Sequence, residues 1–195
     1  MKKVKTLLIC FLVFLLGCVL FFPWNAVQSY AVTRIFRIAA NNGVYVSAQN
    51  SPTEGLLDKK FVCSRVLADF PLLRFKTDRI AVNPAIFRTL CGKPSALVEI
   101  GSGSLTLITK QQLSWNSGVM QLSAEKDTVS LRDVNVSGEF SAEGFAEFSL
   151  GSGEIRRAQL ALKVPAEVEN ALEMLSKGMV KGLEKTAPGN WRLVR

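Results

Sequence analysis

The sequence predicts a mainly β fold with flanking helices: a single N-terminal transmembrane helix, then a curved antiparallel sheet of short strands with one amphipathic helix at each end. Three observations predict it. An apolar run fills Leu7 to Phe22 with no charge inside it. Apolar residues then recur at helical spacing as far as Asn41-Asn42-Gly43, and again after Pro165. Between those segments the period drops to two, and short alternating runs are divided by turn residues at roughly 8–12-residue spacing with no helices between them. The organisation that follows is 1–24 for the cytoplasmic lysines and signal-anchor helix, 25–43 for an amphipathic linker helix, and 44–195 for a β-rich domain that includes a C-terminal helix over 165–186.

The first element is the apolar run. Lys2, Lys3 and Lys5 precede it, and no charged residue follows until Arg34. With Val4, Thr6, Pro23 and Trp24 it reaches the roughly 20 residues needed to cross a hydrocarbon core of about 30 Å. In lipid every backbone amide must be bonded within the segment, so it must be helical. The lysines hold its start in the cytoplasm, and Trp24 stands where an interfacial aromatic belongs. The residues expected to contact lipid are Leu7, Phe11, Leu15, Leu16, Val19, Phe22 and Trp24. Two other processing routes remain open. A signal peptidase site at Val27-Gln28-Ser29 or Ser29-Tyr30-Ala31 lacks the A-x-A pattern, and the run is long for an h-region. A lipoprotein would be acylated at Cys18 of Leu15-Leu16-Gly17-Cys18, yet Val-Leu-Phe-Phe continues the apolar run beyond it. The uncleaved anchor is preferred.

Composition narrows the function. Of 195 residues about 170 remain outside the anchor, enough for one domain with a core. Setting aside the three N-terminal lysines leaves 21 basic against 16 acidic residues, a charge of +5 instead of +8. The basic residues are dispersed, unlike a nucleic-acid footprint, and no nucleic-acid partner is expected. There is no histidine, which removes the commonest general base, the Ser-His-Asp and Cys-His arrangements and most zinc sites. The reading is a non-enzyme with no catalytic residue, cofactor or metal. Cys10 and Cys18 lie in the apolar run, whereas Cys63 and Cys91 lie beyond it, where an oxidising compartment permits a disulfide between them. Two buried free thiols are the plainer reading, because a disulfide needs Cα atoms within about 7 Å and the sequence does not place them.

From Trp24 the apolar residues Val27, Ala31, Ile35 and Ile38 step at helical intervals. This helix either lies on the outer leaflet, with Arg34 and Arg37 towards lipid phosphates, or covers one end of the sheet, the preferred placement. Strands are expected over Val44–Gln49, Lys59–Leu67 and Leu72–Val82, then a short helical turn over Pro84–Leu90. A hairpin follows, joining Ser95–Ile100 to Leu105–Thr109 through Gly101-Ser102-Gly103. The later strands are Val119–Ala124, Thr128–Val136, Glu139–Leu150 and Ile155–Val164, with Trp191–Val194 as the last. Pro165 opens a helix with apolar Val168, Leu172, Leu175, Met179 and Leu183.

Three patterns invite a chemical reading, and each has a plainer one. Gly-Ser-Gly recurs at 101–103 and 151–153, but no Gly-Lys-Ser/Thr follows, so both are read as turns. Glu139, Glu143 and Glu147 share one strand face, with neighbours about 13 Å apart. Glycosidase carboxylates stand about 5–9.5 Å apart, so these form a solvated face. Lys177, Lys181 and Lys185 make a basic stripe on the last helix, read as an exposed face with Glu173 paired to Lys177.

The order of features resembles the N protein of type II secretion systems, the GspN family. The matching parts are the membrane helix ending in Phe22-Pro23-Trp24, the helix up to Gly43, and the Asn83-Pro84 to Gly92 turn. Ala96 to Leu107 with its glycine pair, and the tail from Val164-Pro165 to Trp191-Arg192-Leu193-Val194, complete the match. The resemblance implies an AsmA-like β-repeat domain in the periplasm, held to the bacterial inner membrane by a single pass, with other inner-membrane secretion proteins as partners. It brings no catalytic residues. The alternative is a periplasmic lipid or lipopolysaccharide carrier or bridge with an apolar groove, which shares the anchor, the strands and the lack of catalytic groups and takes a lipid ligand.

Overall fold

The computed structural model describes residues 9–11, 13–14, 17, 21–41, 43–55, 59–70, 73–85, 88–89, 92–107, 110–149, 154–178 and 182–195, and of 175, 177 and 178 only the backbone. Helix α1 (Trp24–Asn41) leads into β1 (Tyr45–Asn50), β2 (Phe61–Asp69) and β3 (Leu73–Pro84). Then come β4 (Ser95–Ile100), β5 (Gly103–Leu107), β6 (Gln112–Trp115), β7 (Ser117–Glu125), β8 (Thr128–Ser137), β9 (Ser141–Ser149) and β10 (Ile155–Lys163). Helix α2 (Ala166–Gly178), β11 (Leu183–Ala187) and β12 (Asn190–Val194) complete the order. The described strands form one twelve-stranded antiparallel sheet in the order β1-β2-β3-β4-β7-β8-β9-β10-β12-β11, with β5 beside β3 and β6 beside β5. The mainly β class is thus met.

Alternation fixes which side chains share a face, because directly opposed residues point the same way. Cys63, Ile80, Ile100, Gly118, Val136, Ala142, Leu162 and Trp191 make one continuous row across eight strands. The next row, on the other face, runs Ala81, Glu99, Val119, Asn135, Glu143, Ala161, Arg192 and Glu184. In the C-terminal strands the face of the first row is apolar and the other largely wet, as an antiparallel sheet allows, whereas in β2 and β3 the buried Val62, Val66, Ala68, Thr77 and Ala81 lie on the face of the second row.

Towards the C-terminal end the apolar face is covered. Ala146 of β9, Ala158 of β10, Leu183 of β11, and Trp191 and Leu193 of β12 are buried in one cluster with Val168 and Ala171 of α2. Leu113 of β6 is buried in the same cluster, and Leu105, Leu107, Phe140 and Phe148 pack against it. The β5–β6 tip thus folds onto the face of later strands. Each Val or Leu buried this way contributes about 1.5–3 kcal/mol.

What turns that tip is a seam, and it corrects the expected hairpin. β4 and β5 do not pair with each other; both pair with β3, as Ile80↔Ile100 and Thr77↔Gly103 show. Gly101-Ser102 is a break within one long strand, and the real reversal lies between β5 and β6. Thr77 is fully buried there, its hydroxyl 3.3, 3.2 and 3.0 Å from the carbonyls of Arg79, Gly101 and Ser102. The Trp115 indole N–H donates to Gly101 O at 2.8 Å, and its ring stacks on Phe75 at 5.3 Å. Close approach, not positive φ, is what demands glycine: a Cβ on Gly103 would stand 2.4 Å from Lys76 O and 2.5 Å from the Trp115 ring. The second Gly-Ser-Gly, 151–153, lies outside the described residues.

Two further expectations change. The C-terminal helix ends at Gly178, not 186, and Leu183 and Lys185 belong to β11. Gly182 sets the limit: its φ is +86°, and a Cβ there would meet Val194 O at 2.0 Å. The helical step from Leu175 to Leu183 is fortuitous, since Leu183 opposes Leu193 in a ladder. Only Arg88 and Thr89 of the turn expected at 84–90 are described as helical, and Pro84 is the last residue of β3.

Candidate functional site

The chemistry-bearing groups singled out in the sequence do not converge. No group of three His, Cys, Asp or Glu among the described residues could hold a metal ion. Glu139 lies ahead of β9 and accepts from the Ser114 hydroxyl, Glu143 is exposed and Glu147 half-buried on β9. Lys185 sits on β11 and donates to Glu169 Oε2 at 2.8 Å and Glu173 Oε1 at 3.2 Å, so it clamps α2 to the sheet. Lys181 and the side chain of Lys177 lie outside the description. These hydrogen bonds hold the Glu169 carboxyl below and the Lys185 ammonium above their ordinary ranges. Glu169 also accepts from the backbone N–H of Gly189, tying α2 to the β11–β12 turn.

Cys63 carries a free thiol, half-buried on β2, with Asn50 Oδ1 3.7 Å from its sulfur. Burial raises its pKa, which keeps it protonated and a weak nucleophile at neutral pH. Cys91, its expected partner, lies outside the described residues, as does Cys18, the alternative lipidation site.

Of the anchor positions, Leu7, Leu15, Leu16 and Val19 also lie outside the described residues. Phe11 is an exposed helical residue and Phe22 is exposed. Trp24 is half-buried, with ring centroids 4.7 Å from Phe22 and 6.5 Å from Phe61 of β2. Among the described residues no helix is long and apolar enough to cross a membrane.

The distinctive surface is on α1. Its sheet-facing side is polar where it is most buried: Gln28 is 2% exposed, and its Nε2 donates to Val62 O at 2.6 Å and Ser51 O at 3.1 Å. The Thr53 N–H donates to Asn25 Oδ1 at 3.0 Å beside it. Val32, Phe36 and Ala39 follow Gln28 at helical steps and are half-buried. The apolar stripe points elsewhere, with Val27 37%, Tyr30 65%, Ile35 61% and Ile38 61% exposed. The helix covers the β1–β2 end of the sheet, the preferred placement, with Trp24 and Ala31 half-buried, but Val27, Ile35 and Ile38 of the expected stripe face away from it. A glutamine suits that position because its amide donates to Ser51 O and adds a second donor to Val62 O, which already accepts from the Ser51 N–H at 3.0 Å. Nothing local in the sequence marks Gln28 for that role.

The match to known families rests on the whole chain. Residues 1–195 match the model of the type II secretion system protein GspN-like family of Synergistales. The chain belongs to this GspN-like family. No curated protein and no solved structure shows significant similarity to it. The family places the chain in a type II secretion-related role.

Proposed function

We propose that this GspN-like chain is a non-enzymatic, inner-membrane-anchored component of the type II secretion apparatus, its β domain facing the periplasm and contacting other inner-membrane secretion proteins. The observation that carries a subunit role within the family is the covered C-terminal part of the apolar face, where Phe140 and Phe148 pack against the cluster formed by α2 and the last strands. The apolar run with lysines on one flank and interfacial Trp24 on the other supports the anchor and its orientation. Depleting the chain in a host with a type II system should strand secreted proteins in the periplasm, and undiminished export would overturn the reading. Leu16→Arg, costing about 2.5–3.5 kcal/mol at a helix centre, should abolish stable membrane insertion.

A lipid carrier is the second reading, favoured by the central strands. There Val82, Val98 and Met120 form one apolar row and Ala96, Leu122 and Leu131 another, all half-buried. Stoichiometric phospholipid or lipopolysaccharide on the purified chain, seen by native mass spectrometry, would decide for it.

A further inference from the structure

We infer that α1 is an in-plane interfacial helix, its outward stripe seated in the headgroup layer of an anionic bilayer. The inference rests on the membrane-anchored reading and adds to it a second, peripheral membrane contact made by the folded domain.

The stripe is sided. Val27, Tyr30, Arg34 and Ile38 fall at steps of 3, 4 and 4 and so lie along one line of the helix, with Ile35 beside it. The side about a third of a turn round from that line is committed to β1 and β2 through Gln28, with Asn25 reaching Thr53. The docked helix therefore has no freedom to roll its apolar stripe inward. A soluble helix would not normally present four large side chains to water in one stripe, and a contiguous apolar surface of this kind marks a contact.

The occupant follows from position and charge. α1 begins at Trp24, immediately after the apolar run and Pro23, and the described residues just before it, Phe21 and Phe22, are exposed. A helix starting at that point lies within reach of the interface wherever the run enters lipid. No aspartate or glutamate occurs before Glu54, while Arg34 and Arg37 are exposed on α1. The Arg34 guanidinium lies 6.0 Å from the Tyr30 ring centroid, an amphipathic pair suited to the headgroup level. Cations flanking an apolar stripe, with aromatic tips, are the composition of helices that lie in the membrane surface. Anionic lipid adds attraction for each arginine near that surface.

The test uses the full chain reconstituted in vesicles of phosphatidylethanolamine and phosphatidylglycerol. A photo-crosslinking amino acid replaces, one at a time, Phe11, Ile38, Val27 and Thr33. Phe11 reports the anchor; Ile38 and Val27 report the stripe; exposed Thr33 lies roughly 120–140° round the helix from both. Lipid adducts at Ile38 and Val27, several-fold above Thr33 and lower in phosphatidylcholine vesicles, are the expected result. Adducts at Phe11 but not at Ile38 would overturn the interfacial helix and leave the anchor standing. Adducts from Ile38 to a second copy would also overturn it, making the stripe a protein interface. Equal labelling at Thr33 would overturn the sidedness, and no adduct at any position would remove the anchor as well.

Discussion

The two amphipathic helices of this chain make opposite use of the same pattern. α2 buries its apolar side, with Val168 and Ala171 inside the cluster and Leu172 against it, and ties its polar side down through Glu169 and Glu173 to Lys185. α1 buries a glutamine and leaves Val27, Tyr30, Ile35 and Ile38 in the open. Both have apolar residues at helical steps, so periodicity alone does not say which way a helix faces. What decides is the surface each meets. β9, β10 and β12 offer α2 an apolar face, whereas the end of β2 and the turn after β1 offer α1 the carbonyls of Val62 and Ser51.

The contrast can be broken most forcefully at the C-terminal cluster. Leu193→Ala should cost about 2–5 kcal/mol, read as a lower urea midpoint at unchanged slope. A loss under 1 kcal/mol would mean that α2 is as loosely held as the outer side of α1. Gly103→Ala tests whether the seam couples the two ends. Its methyl group meets a backbone oxygen at 2.4 Å and an aromatic ring at 2.5 Å, so a loss of about 1–3 kcal/mol is expected. Unchanged stability would show that the β5–β6 tip shifts freely.

Gln28→Ala probes the polar docking of α1. Val62 O keeps the Ser51 N–H at 3.0 Å, so the expected loss is only about 1 kcal/mol. Hydrogen exchange should show it as faster opening around β1. Protection equal to the unsubstituted chain would remove Gln28 as the clamp. The smallest effect belongs to the outer stripe: Ile38→Ser should alter stability by less than about 0.5 kcal/mol in detergent. A larger loss would mean that the stripe packs against the protein after all.

Acid and base sharpen the same contrast. Glu169 is held below its ordinary value of 4.5, so its contribution is full above that value and fades as pH falls through its lowered folded value. Lys185 is held above 10.5, so its contribution is full below that value and fades as pH rises through its raised folded value. The clamp on α2 therefore holds between those limits. Lys185→Gln should flatten both flanks of the stability profile while leaving α1 exchange unaltered.

Much of the sheet was legible because its strands alternate cleanly. The change of period after Gly43, the runs that became β7 to β10, and the closing Trp191–Val194 strand all follow from residue spacing. β6 was hidden, because four residues, Gln112–Trp115, give too short a run to show a period. The end of α2 was misread because Leu183 continues the helical step by chance, while the decisive contact, Gly182 against Val194 O, is long-range. The Gly-Ser-Gly at 101–103 signalled glycine correctly and its cause wrongly, since the crowding atoms come from Lys76 and Trp115. For the candidate surface, the composition of the α1 stripe was readable; its direction depended on two carbonyls distant in sequence.

The order of strands at the C-terminal end also sets an order in time. β12 lies between β10 and β11, although it is made after both. Until residues 190–194 emerge, β10 has an unfilled edge, β11 has no ladder, and Trp191 and Leu193 are missing from the cluster that buries α2. A chain threaded across a membrane from its N-terminus would carry α1 and the first strands out early and hold the rest unlocked. Its final hairpin then closes the domain like a latch, and exposure to proteases should end only with that last step.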